Sequence, residues 1–304
     1  MSSPVEVGQG IYMIDVQTGQ KVLSCSAYLV LGERAALVET GPSSVVPDLL
    51  EGMRELDFDL SRLAYIIPTH IHLDHGGGVG ALAREAPGAQ VVVHERGARH
   101  LIDPSRLIAS TRQVQGEAAY QAAGEVIPVP RERVWAVSGG EVVSLGNRDL
   151  DIIAAPGHAP HQICVFDRQT RGLFPGDAVG TLPPGLRRPI PAVVPPSFDM
   201  DQYLDTLRRL RELKPSVIYL SHLGVRTDVD FIFDATEEDL RACGRIMLEG
   251  MRAGQSRREL ESKLKEYMSS VSGRRYQGSD TFGLLIPGFA MYFKGLYHEL
   301  EMPK

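Results

Sequence analysis

Thr69-His70-Ile71-His72-Leu73-Asp74-His75, followed by Gly76-Gly77-Gly78, puts four metal-competent side chains within six positions. The apolar run just before it, Leu63-Ala64-Tyr65-Ile66-Ile67, reads as a buried strand, so the cluster sits at a strand's mouth. Imidazole and carboxylate are the ligand types that suit zinc, iron and manganese. Core histidines or exposed residues account for one or two such side chains, not for four. The glycines allow the backbone to turn tightly and approach an ion.

Further ligand-type residues lie at other strand ends. Pro156-Gly157-His158 follows an apolar strand over 149–154, Gly176-Asp177 follows Leu173-Phe174-Pro175, and Ser221-His222 follows a strand over 217–220. Alone, each reads as a turn or a core residue. Together they allow convergence, because strands ending at one sheet edge can deliver their next residues to one place.

Around these sites the chain alternates strands and helices. Residues 5–40 alternate apolar and polar positions as an antiparallel set at 11–14, 26–30 and 35–38. A helix carrying Leu49, Leu50, Met53 and Leu56 follows Gly41-Pro42-Ser43-Ser44. Helix 79–86, strand 90–93 and a helical stretch over 95–124, broken at Asp103-Pro104, come next. A second run of strands spans 134–137, 141–145, 149–154 and 163–167, then Leu173-Phe174. Two rounds of strands with helices imply two sheets packed face to face, helices outside. Residues 180–198 form a proline-rich loop, of a length that is usually either functional or disordered. Its Arg187 and Arg188 either meet an anionic substrate or form a solvated pair. Asp199 caps a helix bearing Leu204, Leu207 and Leu210, whose Arg208, Arg209 and Arg211 read as its solvated face. From 236 the pattern is helical, opened by capping-box signals at Thr236-Glu237-Glu238-Asp239 and Ser256-Arg257-Arg258-Glu259. A last helix follows Pro287. The organisation expected is a catalytic domain over 1–235 and a helical module over 236–304.

The series His70-x-His72-x-Asp74-His75, Gly157-His158, Gly176-Asp177, Ser221-His222 resembles the metallo-β-lactamase fold superfamily, its metal motifs all in order. The resemblance implies an α/β fold, the four-layer αβ/βα sandwich, with a two-metal site at one edge of the sheets. By motif, His70, His72 and His158 would bind one ion, Asp74, His75 and His222 a second, and Asp177 would bridge them. Asp rather than Cys at 177, together with His75, is similar to the glyoxalase II, lactonase and ribonuclease Z side of the superfamily, not to true β-lactamases. Glu39 stands where many relatives carry an Asp near the site. His161 either lines the pocket or caps the next strand, while His94 and His100 read as structural. Leu220-Ser221-His222-Leu223-Gly224 departs from the Cys-Gly-His-Glu-Tyr-type motif of the glutathione-binding members.

The implied chemistry is hydrolysis of a small thioester, ester or lactone. Two divalent ions, zinc by ligand softness with iron or manganese open, can share a hydroxide when held about 3.5–4 Å apart. Asp74 would bind metal and aim that hydroxide. The alternatives are a mononuclear-iron persulfide dioxygenase and a phosphodiesterase or ribonuclease of the same fold. A net charge of −6 with no basic arm weighs against nucleic acid. The start, Met1-Ser2-Ser3-Pro4, lacks signal-peptide character, and no apolar run is long enough for a bilayer, which points to a cytoplasmic protein. Cys25, Cys164 and Cys243, odd in number and far apart, read as buried thiols rather than a disulfide framework. The apolar-striped tail could pair with another copy.

Overall fold

The computed structural model describes residues 3–16, 25–183, 185–222, 224–272 and 280–304, so that Pro184 of the proline-rich loop and Leu223 after His222 lie outside the described residues. The chain divides into two compact units. The first comprises Met1–Ala155, His161–Gly176 and Lys214–Thr227, the second Pro156–Pro160, Asp177–Leu213 and Asp228–Lys304.

The first unit holds both sheets. One runs β1 (Val5–Gly8), β2 (Ile11–Val16), β3 (Cys25–Leu31), β4 (Ala35–Val38), β5 (Leu63–Ile67), β6 (Gln90–His94) and β7 (Val134–Val137), neighbours in that order. Its first four strands are antiparallel, and β4 to β7 are parallel. The parallel part needs crossovers, which α1 (Val46–Glu55), then the short α2 (Leu73–Gly76) with α3 (Val79–Glu85), and then α4 (Glu95–Ile102), α5 (Ser105–Gln115) and α6 (Glu117–Ala123) help provide. The other sheet is ordered β13 (Val225–Arg226), β12 (Val217–Tyr219), β11 (Gly172–Phe174), β10 (Ile163–Asp167), β9 (Asp149–Ala154) and β8 (Val142–Ser144). Only β11 and β12 run parallel in it. Strand 134–137 therefore closes the first sheet rather than opening the second. Its Val-Trp-Ala-Val sequence has no feature that chooses between the two.

The alternation of β3 shows why the sheets stack. Tyr28 and Val30 join Val38, Ile67 and Val92 against Val143, Ile152, Val165 and Phe174 of the other sheet. Ala27 and Leu29 point the opposite way, into a core with Leu49, Met53, Leu82 and Leu101 of the helices. Two apolar faces on one strand make both of its sides buried, as a sandwich covered by helices requires.

A buried ion pair ties the sheets. Arg148, before β9, donates Nε and Nη2 to Asp167 at 2.9 and 2.7 Å. Its Nη1 also reaches the carbonyls of Gln9 and Leu31 beside β2 and β3. Burial opposes ionisation of Asp167, yet hydrogen bonds from Arg148 and Thr170 hold its carboxyl below the usual range. Arg148→Ala leaves a buried carboxylate without its cation and should cost about 3–5 kcal/mol in urea unfolding. Because the folded pKa is depressed, the Asp167 contribution is complete above the unfolded value near 3.9 and declines as pH falls below it. In the wild type, stability should therefore drop below about pH 4 more steeply than in Arg148→Ala, compared by acid titration.

The second unit contains α7 (Met200–Glu212), α8 (Val229–Arg252), α9 (Arg257–Ser272) and α10 (Asp280–Leu296). Asp199 caps α7 as expected, accepting from Gln202 N–H at 3.0 Å. Arg208, Arg209 and Arg211 form ion pairs with Asp205, Glu212 and Asp234. The Ser256/Glu259 capping box also forms. The Thr236 signal does not: α8 begins seven residues earlier, because Ile232 and Phe233 continue its apolar face. Thr236 Oγ1 instead shares its one proton between the Ile232 carbonyl within the helix and the Val179 carbonyl, both at 2.8 Å. The last helix likewise starts before Pro287, which lies inside it. The Gly283 carbonyl that Pro287 cannot bond accepts from Arg257 Nη2. Among the described residues no helix is long and apolar enough to cross a membrane.

Candidate metal centre

In the first unit, β5 ends at Ile67 and the chain delivers His70 before entering α2. His72 is the N-cap of this single turn, Asp74 stands in its first turn and His75 near its end. The glycines that follow stay out of the left-handed region. Gly77 keeps a helical φ of −63°, and what it supplies is room: a Cβ there would stand 2.4 Å from the Leu73 carbonyl oxygen.

One carboxylate organises this half of the site. Glu39, 1% exposed at the end of β4, holds the left-handed φ of 67°. Its Oε1 accepts from Thr69 Oγ1 at 2.6 Å, Ser221 Oγ at 2.8 Å and His75 Nδ1 at 2.9 Å, and its Oε2 from Thr69 N–H at 3.1 Å. Burial resists its ionisation, but His75 beside it and the donors from His75 and Thr69 hold its carboxyl below the usual range. An acceptor-only oxygen at His75 Nδ1 fixes the proton there and leaves the lone pair on Nε2. Thr69 passes the same instruction on. Its hydroxyl proton goes to Glu39, so its oxygen accepts from His70 Nδ1 at 3.1 Å, and His70 Nε2 bears the lone pair.

Those lone pairs converge on other donor atoms. His70 Nε2 faces His72 Nδ1 at 2.9 Å, and His75 Nε2 faces His222 Nε2 at 3.2 Å. Asp74 Oδ2 lies 3.7 Å from each of the His75 and His222 Nε2 atoms. Zinc held tetrahedrally at about 2.0–2.1 Å from nitrogen has neighbouring ligand atoms roughly 3.3 Å apart. Asp74, His75 and His222 are so grouped, and each offers one ligand atom. The donor set therefore fits a divalent ion. His161 stands beside it, its ring 6.2 Å from that of His70 and 5.8 Å from that of His72. It lines this region rather than only capping β10.

The other two ligand-type residues belong to the second unit and prepare one another there. His158 is 1% and Asp177 6% exposed, and His158 Nε2 lies 3.5 Å from Asp177 Oδ2. His158 Nδ1 donates to the Ala192 carbonyl at 2.8 Å, which again assigns the lone pair to Nε2. Gly157, at φ 137°, permits the close approach of Tyr203, whose Cα a Cβ would meet at 2.4 Å. Tyr203 in turn donates its hydroxyl to the Asp177 carbonyl at 2.6 Å and accepts from Gly180 N–H at 2.9 Å.

Other expectations land elsewhere. His94 N-caps α4, its Nδ1 accepting from Arg96 N–H, and so is structural. Arg188 is largely withdrawn from solvent, its guanidinium bound to Asp239 and Glu238 of α8. Thr69, Ser221, Ala192 and Tyr203 are the supporting residues that sequence reasoning left out. Two of them had a signal, since Thr69 and Ser221 directly precede His70 and His222. Ala192 acts through its backbone carbonyl, which no residue type announces, and Tyr203 through a hydroxyl whose partner at Asp177 no local sequence specifies.

The sequence pattern of the metallo-beta-lactamase superfamily matches residues 21–222, and the chain belongs to that superfamily. It is 30% identical over 204 residues to the metallo-beta-lactamase fold-containing protein ST1585 of Sulfurisphaera tokodaii, a match covering 66% of this chain and 73% of that one. It is 28% identical over 230 residues to the acyl-coenzyme A thioesterase MBLAC2 of Homo sapiens, covering 68% and 74%. The crystal structure of the family protein TTHA1429 from Thermus thermophilus superposes with a TM-score of 0.69 at 22% identity, covering 94% of both chains. That likeness is one of fold.

Proposed function

We propose that this chain is a metal-dependent hydrolase of a small thioester, with related esters and lactones as the neighbouring substrate classes. The observation that carries the reading is the lone-pair arrangement: His70, His75 and His158 each have Nδ1 committed to an oxygen acceptor and Nε2 available to a metal. The thioester preference is supported by the resemblance to an acyl-coenzyme A thioesterase.

His70, His72 and His158 would hold one divalent ion, and Asp74, His75 and His222 a second, with Asp177 shared between them. Zinc suits these nitrogen and oxygen donors best. When bound, such ions lower the pKa of water to about 7 and polarise a carbonyl oxygen, so that no side-chain nucleophile is needed. The chain's own residues supply the rest. Asp74, 21% exposed, is the ligand-type carboxylate open enough to accept a proton from an attacking water and orient it. Glu39 and Thr69 hold the His75 and His70 imidazoles in one tautomer throughout, keeping their protons on Nδ1.

Two measurements test this. Elemental analysis of protein purified without added metal should return about two zinc ions per chain. A panel of acyl-coenzyme A, S-acyl glutathione, homoserine lactone and phosphodiester substrates should show turnover on the thioesters. One iron per chain would instead favour oxygenase chemistry, and loaded protein inert on the whole panel would end the hydrolase reading.

A further inference from the structure

We infer that Arg188 is a positioning residue for His158, acting through the carbonyl of Ala192; the inference rests on the metal-ligand role given to His158 above. The Ala192 carbonyl sets the His158 tautomer, so whatever fixes that carbonyl fixes the imidazole. The segment that carries it cannot fix itself. Pro189, Pro191, Pro195 and Pro196 have no N–H to give to a ladder, and among the described residues its one strand-like pairing is the bridge between Thr181 and Ile190.

Side chains brace it instead. Arg188 donates Nε to Asp239 Oδ2 at 2.6 Å and Nη2 to Glu238 Oε2 at 2.7 Å, spanning two adjacent carboxylates of α8. Asp239 is fully buried, and its second oxygen accepts from Tyr267 Oη–H of α9 at 2.6 Å. The planar guanidinium fork fits two acceptors at a set spacing, which a lysine ammonium does not reproduce. Four residues beyond Arg188, Ala192 meets His158. At Val193 the chain then closes on α10, where a Cβ on Gly288 would come within 2.6 Å of the valine Cγ1. Thr236 holds the near end of the segment through Val179. The carbonyl thus hangs between two anchors, and Arg188 is the one that is charged, directional and placed just before it.

A buried ion pair is seldom needed for stability, since apolar residues of similar volume can replace it. Fixing one conformation of a loop with so little ladder pairing is a task that such a pair does suit. The C-terminal helices then serve His158 through this loop.

The test uses Arg188→Met, the volume-matched double variant Arg188→Met/Asp239→Leu, and Arg187→Ala as a neighbouring control. Zinc affinity is read by competition with a chromophoric chelator. In metal-free protein, the His158 Nδ1–H proton is followed by NMR, where its hydrogen bond should shift it downfield and slow its exchange. The expected result is a zinc Kd raised about 10–100-fold in the double variant. The His158 signal should be lost or broadened, and Arg187→Ala should behave as wild type. Arg188→Met strands a buried carboxylate and can fail to fold; the double variant removes both charges and keeps the question open to measurement. A double variant with native near-ultraviolet circular dichroism, zinc Kd within about twofold of wild type and an unchanged His158 resonance overturns the inference. Wild-type protein that binds zinc yet hydrolyses nothing on the panel defeats the functional reading alone. The NMR arm needs no metal, so it judges Arg188 even then.

Discussion

Asp177→Ala should lose tightly held metal and lower kcat/KM on the best thioester by roughly 10³-fold or more. The magnitude follows from what the proposed role supplies. A water whose pKa is about 7 is largely ionised at neutral pH, whereas bulk water near 15.7 is not, and a poorly filled site returns the reaction toward the second case. In the proposed role Asp177 would also offset the mutual repulsion of two cations, so one carboxylate would account for both occupancy and spacing. The prediction separates metal loss from misfolding. Asp177 places its side chain beside His158, while its main-chain carbonyl holds Tyr203. Only the side chain is removed, so the melting temperature of the metal-free variant should match that of metal-free wild type. Elemental analysis after dialysis gives the other half. An Asp177→Ala protein that retains two ions per chain would remove Asp177 from the ligand set and with it the shared-carboxylate scheme.

How much of this was legible in the sequence depends on what kind of signal each part leaves. The strands around the site were readable because period-two alternation and apolar runs survive at Ile66-Ile67 and Val91-Val92-Val93, and each of these runs lies within its expected strand. The ligand-type residues were readable because imidazoles and carboxylates next to strand ends are rare in combination. Element boundaries decided by competition were not. Thr236 looks like a helix start, but the apolar Ile232 and Phe233 one turn earlier bury more surface than a cap can repay, so α8 runs through it. Pro287 looks like a helix start for a similar reason, and a guanidinium from Arg257 makes its interior position tolerable. The assignment of β7 to the first sheet is a long-range pairing with β6, and a four-residue apolar strand holds no record of its partner. Arg188 is the sharpest case. An arginine pair in a proline-rich loop reads as solvated or ligand-facing, and what draws Arg188 inward is a buried Asp239 that lies far away in sequence.

Glu39 gives the last prediction its size. Replacing it with Gln keeps shape and volume but not the hydrogen-bonding logic. The carboxylate presents two acceptors to four donors from Thr69, His75 and Ser221. An amide offers one acceptor, and its NH2 must then face the Thr69 N–H or the cluster of donors opposite. With the charge gone, His75 and His70 no longer have a reason to keep their protons on Nδ1, and each Nε2 lone pair is present only part of the time. Glu39→Gln should weaken zinc binding by about 10–100-fold, as for other residues that orient metal-bound histidines. Glu39→Ala should add a stability loss of several kcal/mol, because donors left buried without an acceptor cost about 1–3 kcal/mol each and are not fully additive. Glu39→Asp makes the comparison decisive. It restores the charge but is one methylene too short to reach Thr69, His75 and Ser221 together, so it should recover urea stability better than it recovers zinc affinity. Equal recovery of both would mean that charge alone matters at this position. Zinc affinity unchanged in Glu39→Gln would mean that the tautomers are set elsewhere. The left-handed backbone at Glu39 sharpens the expectation, since a side chain held at φ 67° carries a conformational cost of about 1–3 kcal/mol that its hydrogen bonds offset. Glu39→Gly should therefore lose the same donors as Glu39→Ala while relieving that strain, and it should be the more stable of the two in urea with equally poor zinc binding.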